Sequence, residues 1–442
     1  MFLLFVPIFI TIIFYIFYTS MLKKVNGETL FCDLGFIYCS LLVLYTVIPG
    51  LVLVYGLTKP GDPIAVMLDT MSITVTDLSK HLWRHFLFLT SFSVGYYFFR
   101  GKEKFNSVEI KKSMHFSIVS LFFIIFLCLF ILSVLSAPVE SYFDNYTRYD
   151  HLAVPLRKFV SVLVRFKGGF YVILLTLLFL NFKKYKYYIF VSVLLICIYE
   201  LLYSHGSRIN VFIILLQVFF LYNYIVEVVS AKKLITYAFV LLAFFSVVEI
   251  IRILDGNIES TKGVVSDEGI KPPGELGALF ITSFHLYSER TKGTLPKREW
   301  TMFFYDVISP FSFNSDTSLN PMYWYAKYYF PESKVPPFTI GPIAESAIWG
   351  GEIDLFFRGI INGIYFAFIV RWFIRRRKMW WGIATYAFLF SYSVITLKYS
   401  VFFYLTPVFK DLMPTLFFVA ILIKLFSRNQ RNILEIKTDN QI

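Results

Sequence analysis

A chain of 442 residues that is 57% hydrophobic, 20% aromatic and only 16% charged, with mean hydropathy +0.66, is not a water-soluble domain. Its net charge of +13 sits in short basic clusters beside apolar runs, as membrane orientation signals do, and not on a face that would bind nucleic acid. The four cysteines, Cys32, Cys39, Cys128 and Cys197, have neither metal-ligand nor disulfide-framework spacing.

A spanning helix needs about 20 apolar residues. On that rule the chain has eleven, near 2–22, 34–57, 82–99, 115–136, 159–181, 187–203, 209–228, 234–251, 353–373, 379–397 and 412–427. Lipid leaves isolated strands with unsatisfied backbone, so the expected fold class is an all-α polytopic integral membrane protein in one domain, 1–442. The first run has no basic residues before it and Lys23 and Lys24 after it, which predicts a retained helix and not a cleaved signal peptide.

Lysines and arginines fix the orientation. One set of short loops holds nineteen of them, from Lys23 and Lys24 through Arg375, Arg376, Arg377 and Lys378 to Arg428, Arg431 and Lys437. The opposite set holds nine. The richer set is expected to be cytoplasmic, which places the N-terminus outside and the C-terminus inside. The long polar and aromatic segment 253–352 is then extracytoplasmic. Its residues 253–337 carry eight basic and ten acidic side chains, so it is no polybasic lipid clamp. Apolar patches at 276–286, 303–313 and 322–330 predict that it folds on the membrane instead of trailing in water.

Three arginines fall at or just below the outer surface: Arg165 in the fifth span, Arg208 opening the seventh and Arg252 closing the eighth. A charge at helix depth costs about 2.5–3.5 kcal/mol on insertion scales, so it faces a cavity or a partner. Arginine also presents a planar fork that fits phosphate oxygens. The structural alternative pairs these residues with Glu200 and Glu249, or lets them snorkel. The turn Ser204-His205-Gly206-Ser207 ahead of Arg208 favours a ligand: glycine admits close approach and the turn's N–H groups begin a helix.

Glu345 lies in Gly341-Pro342-Ile343-Ala344-Glu345-Ser346-Ala347, followed by Gly350-Gly351. An acid among small residues is the best candidate for a general base, because a substrate could approach closely. Against this stands a surface acid capping the next helix. His285 and His205 are further candidates, each also readable as structural. Trp324, between Tyr323 and Tyr325, could stack on sugar rings, and an interfacial aromatic belt explains it equally. Asp306 and Asp316 lack metal-site spacing, so no metal and no cofactor is expected.

The eleven-span plan, the Gly206-Ser207-Arg208 turn, Arg252 heading a large outward loop and the Gly-Pro-x-x-Glu345-x-x-x-x-Gly-Gly ending together resemble bacterial O-antigen or capsule repeat-unit polymerases of the Wzy type. That family is similar to O-antigen ligases and peptidoglycan polymerases, with a GT-C-like helical glycosyltransferase fold. The resemblance implies metal-independent glycosyl transfer at the outer leaflet of the bacterial inner membrane. The donor would be a glycan on undecaprenyl diphosphate and the acceptor a single lipid-linked repeat unit, with a chain-length regulator protein as a further partner. Glu345 would act as base, with Arg208 and Arg252 stabilising the departing diphosphate; Arg165, His205, Gly206, Ser207, His285 and Trp324 would bind substrate. Ligases of this kind use an outward histidine, so Glu345 points to a polymerase. A flippase of lipid-linked oligosaccharide is the main alternative of another class, although paired halves with matching broken helices are missing. A membrane acyltransferase would need a histidine beside an acid at a spacing the chain lacks.

Overall fold

Apolar surroundings leave a backbone no water to bond, and the chain satisfies its backbone within helices. The computed structural model describes residues 2–57, 74–103, 105, 120–121, 123–128, 131, 154–203, 208–230, 232–233, 236, 274–299, 302–303, 321–329, 331, 340–398, 405–421 and 424. All regular structure among them is helical. The main helices are α1 (Phe2–Asn26), α2 (Leu34–Leu57), α3 (Val75–Arg100), α4 (Val154–Phe179), α5 (Phe182–Tyr203), α6 (Arg208–Leu221) and α7 (Gly274–Lys292). They continue with α8 (Pro321–Tyr329), α9 (Pro342–Trp349), α10 (Glu352–Arg376) and α11 (Trp380–Tyr392).

Among the described residues five helices are long and apolar enough to cross a bilayer: Phe2–Asn26, Leu34–Tyr55, Ile209–Val226, Glu352–Arg376 and Trp380–Leu397. The chain is thus an all-helical protein with several helices able to span a membrane. The predicted spans at 82–99 and 187–203 are also helical. The first of these carries His81, Arg84 and His85 along the start of its helix, and the second opens with Lys183, Lys184 and Lys186, which lowers their apolarity. Most of the predicted spans at 115–136 and 234–251 lies outside the described residues.

Two compact units emerge. The first comprises Met1–Asn106, Glu249–Arg375 and Tyr392–Tyr404. In it α1, α2 and α3 pack on one another, and α7 packs on α2, α3 and α9. Close approach of α3 and α10 depends on missing side chains. A Cβ at Gly363 would run into Phe92 O and lie 2.6 Å from Tyr96 N, and one at Gly95 would strike Ile360 O. Small residues four apart let helix backbones touch where lipid offers no hydrophobic drive. Around this crossing Tyr38, Phe92 and Phe366 form a buried aromatic core, with Tyr38 to Phe366 at 4.8 Å between ring centroids.

One end of the α1–α2–α3 group is tied by a buried polar knot. Asp33 accepts from Arg100 Nε at 3.0 Å, Tyr96 OH at 2.6 Å and Asn26 Nδ2 at 2.8 Å, and Arg100 also donates to Asn26 Oδ1. Such a pair is stable only because its remaining donors and acceptors are bonded.

The second unit comprises Ser107–Val248, Arg376–Ser391 and Leu405–Ile442. Here α4, α5 and α6 pack together, and residues 408–412 pack on α4 where Gly169 lets Asp411 O approach. Glu200 of α5 holds Lys167 Nζ of α4 at 2.6 Å and accepts from Asn210 Nδ2 of α6 at 2.9 Å.

Candidate functional site

The site is built on α9, a helix of eight residues. Gly341 precedes it and Pro342 opens it, where proline's missing N–H costs nothing. Gly341 is required, since a Cβ there would strike the carbonyl of Leu397. The residues from Pro342 to Ile348 are all buried. The helix ends at Ser346 O, which accepts from Gly350 N at 3.1 Å and Gly351 N at 2.7 Å. Gly351 has φ +66°, a left-handed conformation that suits glycine at a helix end.

The sequence suggested that Gly350 and Gly351 leave room for a substrate. The structure assigns that room otherwise. A Cβ on Gly350 would meet Asp354 Cβ at 2.7 Å, and one on Gly351 would meet Arg290 Nε at 2.9 Å. Arg290, on α7, donates from Nη1 to Ala347 O at 2.9 Å, so it clasps the end of α9.

Glu345 is 1% exposed, and its Oε2 accepts from Arg358 Nη1 at 2.7 Å. Arg358 lies on the second turn of α10, is 7% exposed, and also donates from Nε to Asp354 Oδ2 at 2.9 Å. The carboxylate therefore pairs with an arginine of the next helix. The buried pair rules out a surface acid capping the following helix, and the arginine partner was not foreseen for an acid among small residues. Arg358 was missed. The signal that could have found it is an arginine inside a predicted span, which requires a partner.

Helix α7 locks α9 in place. Tyr287 OH lies 2.8 Å from Ser346 Oγ, next to Glu345 in sequence, and Ser346 Oγ donates to Ile343 O at 2.6 Å. Above the Tyr287 ring, at 4.1 Å, sits the guanidinium of Arg84 of α3, which is paired with Glu352 at 2.7 Å. Deeper between α2, α3 and α7 runs a polar chain: Thr46 Oγ1 to His85 Nδ1 at 3.2 Å, His85 Nε2 to His81 Nε2 at 3.2 Å, and His81 Nε2 to Ser283 Oγ at 3.0 Å. Buried imidazoles need such partners. Arg84, His81 and His85 were also missed, although their spacing of three and four residues places them on neighbouring faces of one helix.

His285, also on α7, has Nδ1 3.0 Å from Tyr325 OH and its ring 4.8 Å from that of Tyr329, both on α8. Its side chain is 25% exposed, and Nε2 lies 4.0 Å from Glu289. Burial pushes this imidazole below the ordinary histidine value; Glu289 opposes that shift and Lys292 adds to it. Trp324 turns inward and is buried, its indole N–H without a hydrogen-bond partner among the described residues, while Tyr323 and Tyr328 are the exposed rings of α8.

Glu345, His285 and Trp324 thus share one unit, joined through α7. Arg165 and Arg208 belong to the second unit: Arg208 opens α6, as expected, and the side chains of both lie outside the described residues. His205, Gly206, Ser207 and Arg252 are outside them too. Glu200, which the sequence offered as a partner for Arg165, carries Lys167 and Asn210. Among the described residues no three His, Cys, Asp or Glu side chains gather as metal ligands would. No family model, no curated protein and no solved structure matches the chain.

Proposed function

We propose that the chain is a membrane glycosyltransferase that polymerises lipid-linked oligosaccharide repeat units, as the Wzy-type resemblance implies. One observation supports it most: a buried carboxylate, Glu345, is carried on a short helix that α7, in the segment between the spans, holds through Tyr287 and Arg290. Catalytic groups gain from being held in place by packed neighbours, because little reorganisation is then needed as charge develops.

In the proposed reaction Glu345 takes the proton of an acceptor hydroxyl as that oxygen attacks the anomeric carbon of the donor. The new C–O bond forms as the bond from the anomeric carbon to the diphosphate oxygen breaks. The electron pair leaves with the polyprenyl diphosphate, whose charge Arg208 and Arg252 stabilise, and the anomeric centre inverts. Arg358 pairs with both Glu345 and Asp354, so it orients the Glu345 carboxylate while Asp354 shares its charge. In this reading the site belongs to the inner membrane, with α7, α8 and α9 on the outward side.

Purified protein incubated with a lipid-linked repeat unit tests this. A ladder of longer glycans is expected, and it should disappear in Arg208→Ala and Arg252→Ala variants that still insert. A full ladder from both variants would remove the diphosphate role of these arginines. Absence of any product from folded wild-type protein would remove the polymerase. The ligase alternative draws support from His285, an accessible imidazole held by Tyr325; it predicts transfer to a lipid A-type acceptor that His285→Ala abolishes.

A further inference from the structure

We propose that the cleft between the start of α3 and the last two turns of α7 binds an acidic sugar ring of the lipid-linked acceptor, an inference that rests on the polymerase function proposed above. The cleft has a volume of about 190 Å³, room for one ring and not for a drug-sized ligand. Lys80, Arg84 and Lys292 line it, with Asp77 as the one acid among its lining residues.

The charges are unevenly satisfied. Arg84 directs both Nε and Nη2 at a single oxygen of Glu352, at 2.8 and 2.7 Å. Neither Lys80 nor Lys292 has a carboxylate within ion-pairing distance among the described residues. The hydroxyl of Ser288, also on the lining, has no hydrogen-bond partner there either. Unpaired cations around a concave surface attract an anion, and a hydroxyl at its edge gives directionality.

Asp77 decides which anion. Its Oδ2 accepts from Thr74 Oγ1 at 2.6 Å and from Thr74 N at 3.2 Å, which leaves Oδ1 facing no donor among the described residues. The Thr74 hydroxyl bond, with help from Lys80 and Arg84, holds this carboxyl below its ordinary range, so it remains an acceptor. A phosphodiester, once ionised, has no proton to offer Asp77 and is repelled by it. A uronic-acid-type ring offers both complements, a carboxylate for the lysines and ring hydroxyls for Asp77. Tyr287 also lines the cleft, and its hydroxyl bonds Ser346 beside Glu345, so the cleft lining is one hydrogen bond from the helix that carries the base.

The test uses the full chain, purified in nanodiscs, titrated calorimetrically with methyl glucuronide, methyl glucoside and dimethyl phosphate. Glucuronide should bind more tightly than both others, and added salt should weaken it. Lys80→Ala and Lys292→Ala should each weaken glucuronide by about fivefold, while Lys292→Arg retains it. Equal binding of the neutral glucoside, or no effect of either alanine, overturns the proposal. Dimethyl phosphate displacing glucuronide overturns it too and makes the cleft a site for lipid phosphate. Binding is read without turnover: lost discrimination with polymer still forming rejects the cleft alone, whereas intact discrimination without polymer rejects the polymerase alone.

Discussion

Glu345 and Arg358 form the residue pair on which the site depends, and their burial sets what substitution costs. Removing one partner of a buried ion pair destabilises by about 3–5 kcal/mol, because the other charge is left without compensation. Arg358→Ala should therefore lose folded protein, measured by thermal unfolding in detergent. Glu345→Gln should lose less, since Arg358 keeps Asp354. Equal losses from the two substitutions would show that Asp354 cannot hold the arginine. His285 has a different signature. Its proton affinity is lowered in the folded chain, so the unfolded chain binds more protons once the pH falls below the ordinary value of about 6.5. Stability from this group is fully present above that value and declines as the pH falls through it and further. His285→Gln should flatten this acid-side decline in a series of melting temperatures; an unchanged slope would mean that other groups cause it. Glu345 was legible because an acid among alanines is unusual next to a span. Arg358 was hidden because the pair bridges two helices, and sequence spacing reports neighbours only within one helix. Gly350 and Gly351 misled for a related reason: a missing Cβ shows that something comes close, and here it is Asp354 and Arg290.

At the scale of elements, hydropathy predicted most of the helices well, and polarity obscured the rest. The helix α3 begins at Val75, seven residues ahead of its apolar run, since Thr74 and Asp77 form a capping box that extends it. The α3–α10 crossing was not foreseen, because Gly359 and Gly363 look like ordinary glycines of a membrane helix until Gly95 is set opposite them. Gly363→Ala forces a methyl group into Phe92 O and Tyr96 N, and overpacking of this kind costs about 1–3 kcal/mol. Lower yield and melting temperature are expected, and a neutral result would show that the two helices separate easily. The knot of Asp33, Arg100, Tyr96 and Asn26 escaped the sequence altogether, because its members come from separate elements. Asp33→Ala should cost as much as breaking a buried pair, about 3–5 kcal/mol.

For the whole molecule, composition and the length of apolar runs carried the class, an all-helical chain with several helices able to cross a membrane. The direction of insertion rests on nineteen basic residues against nine. Cysteine substituted for Ser266 or Ser333 should react with an impermeant reagent on intact cells, and cysteine at Lys378 should not. Labelling at Lys378 alone would invert the orientation and turn the Glu345 helix toward the cytoplasm.

The central claim is that Glu345 accepts the acceptor's proton, and purified enzyme with a defined lipid-linked repeat unit tests it most directly. General-base catalysis contributes about 10²–10⁴-fold, or about 3–5.5 kcal/mol of barrier. With folded protein matched by size-exclusion chromatography, Glu345→Gln should slow chain growth by that factor while substrate binding persists. Glu345→Asp should keep part of the rate. Near-normal growth from folded Glu345→Gln would contradict the claim and leave the Glu345–Arg358 pair as scaffold.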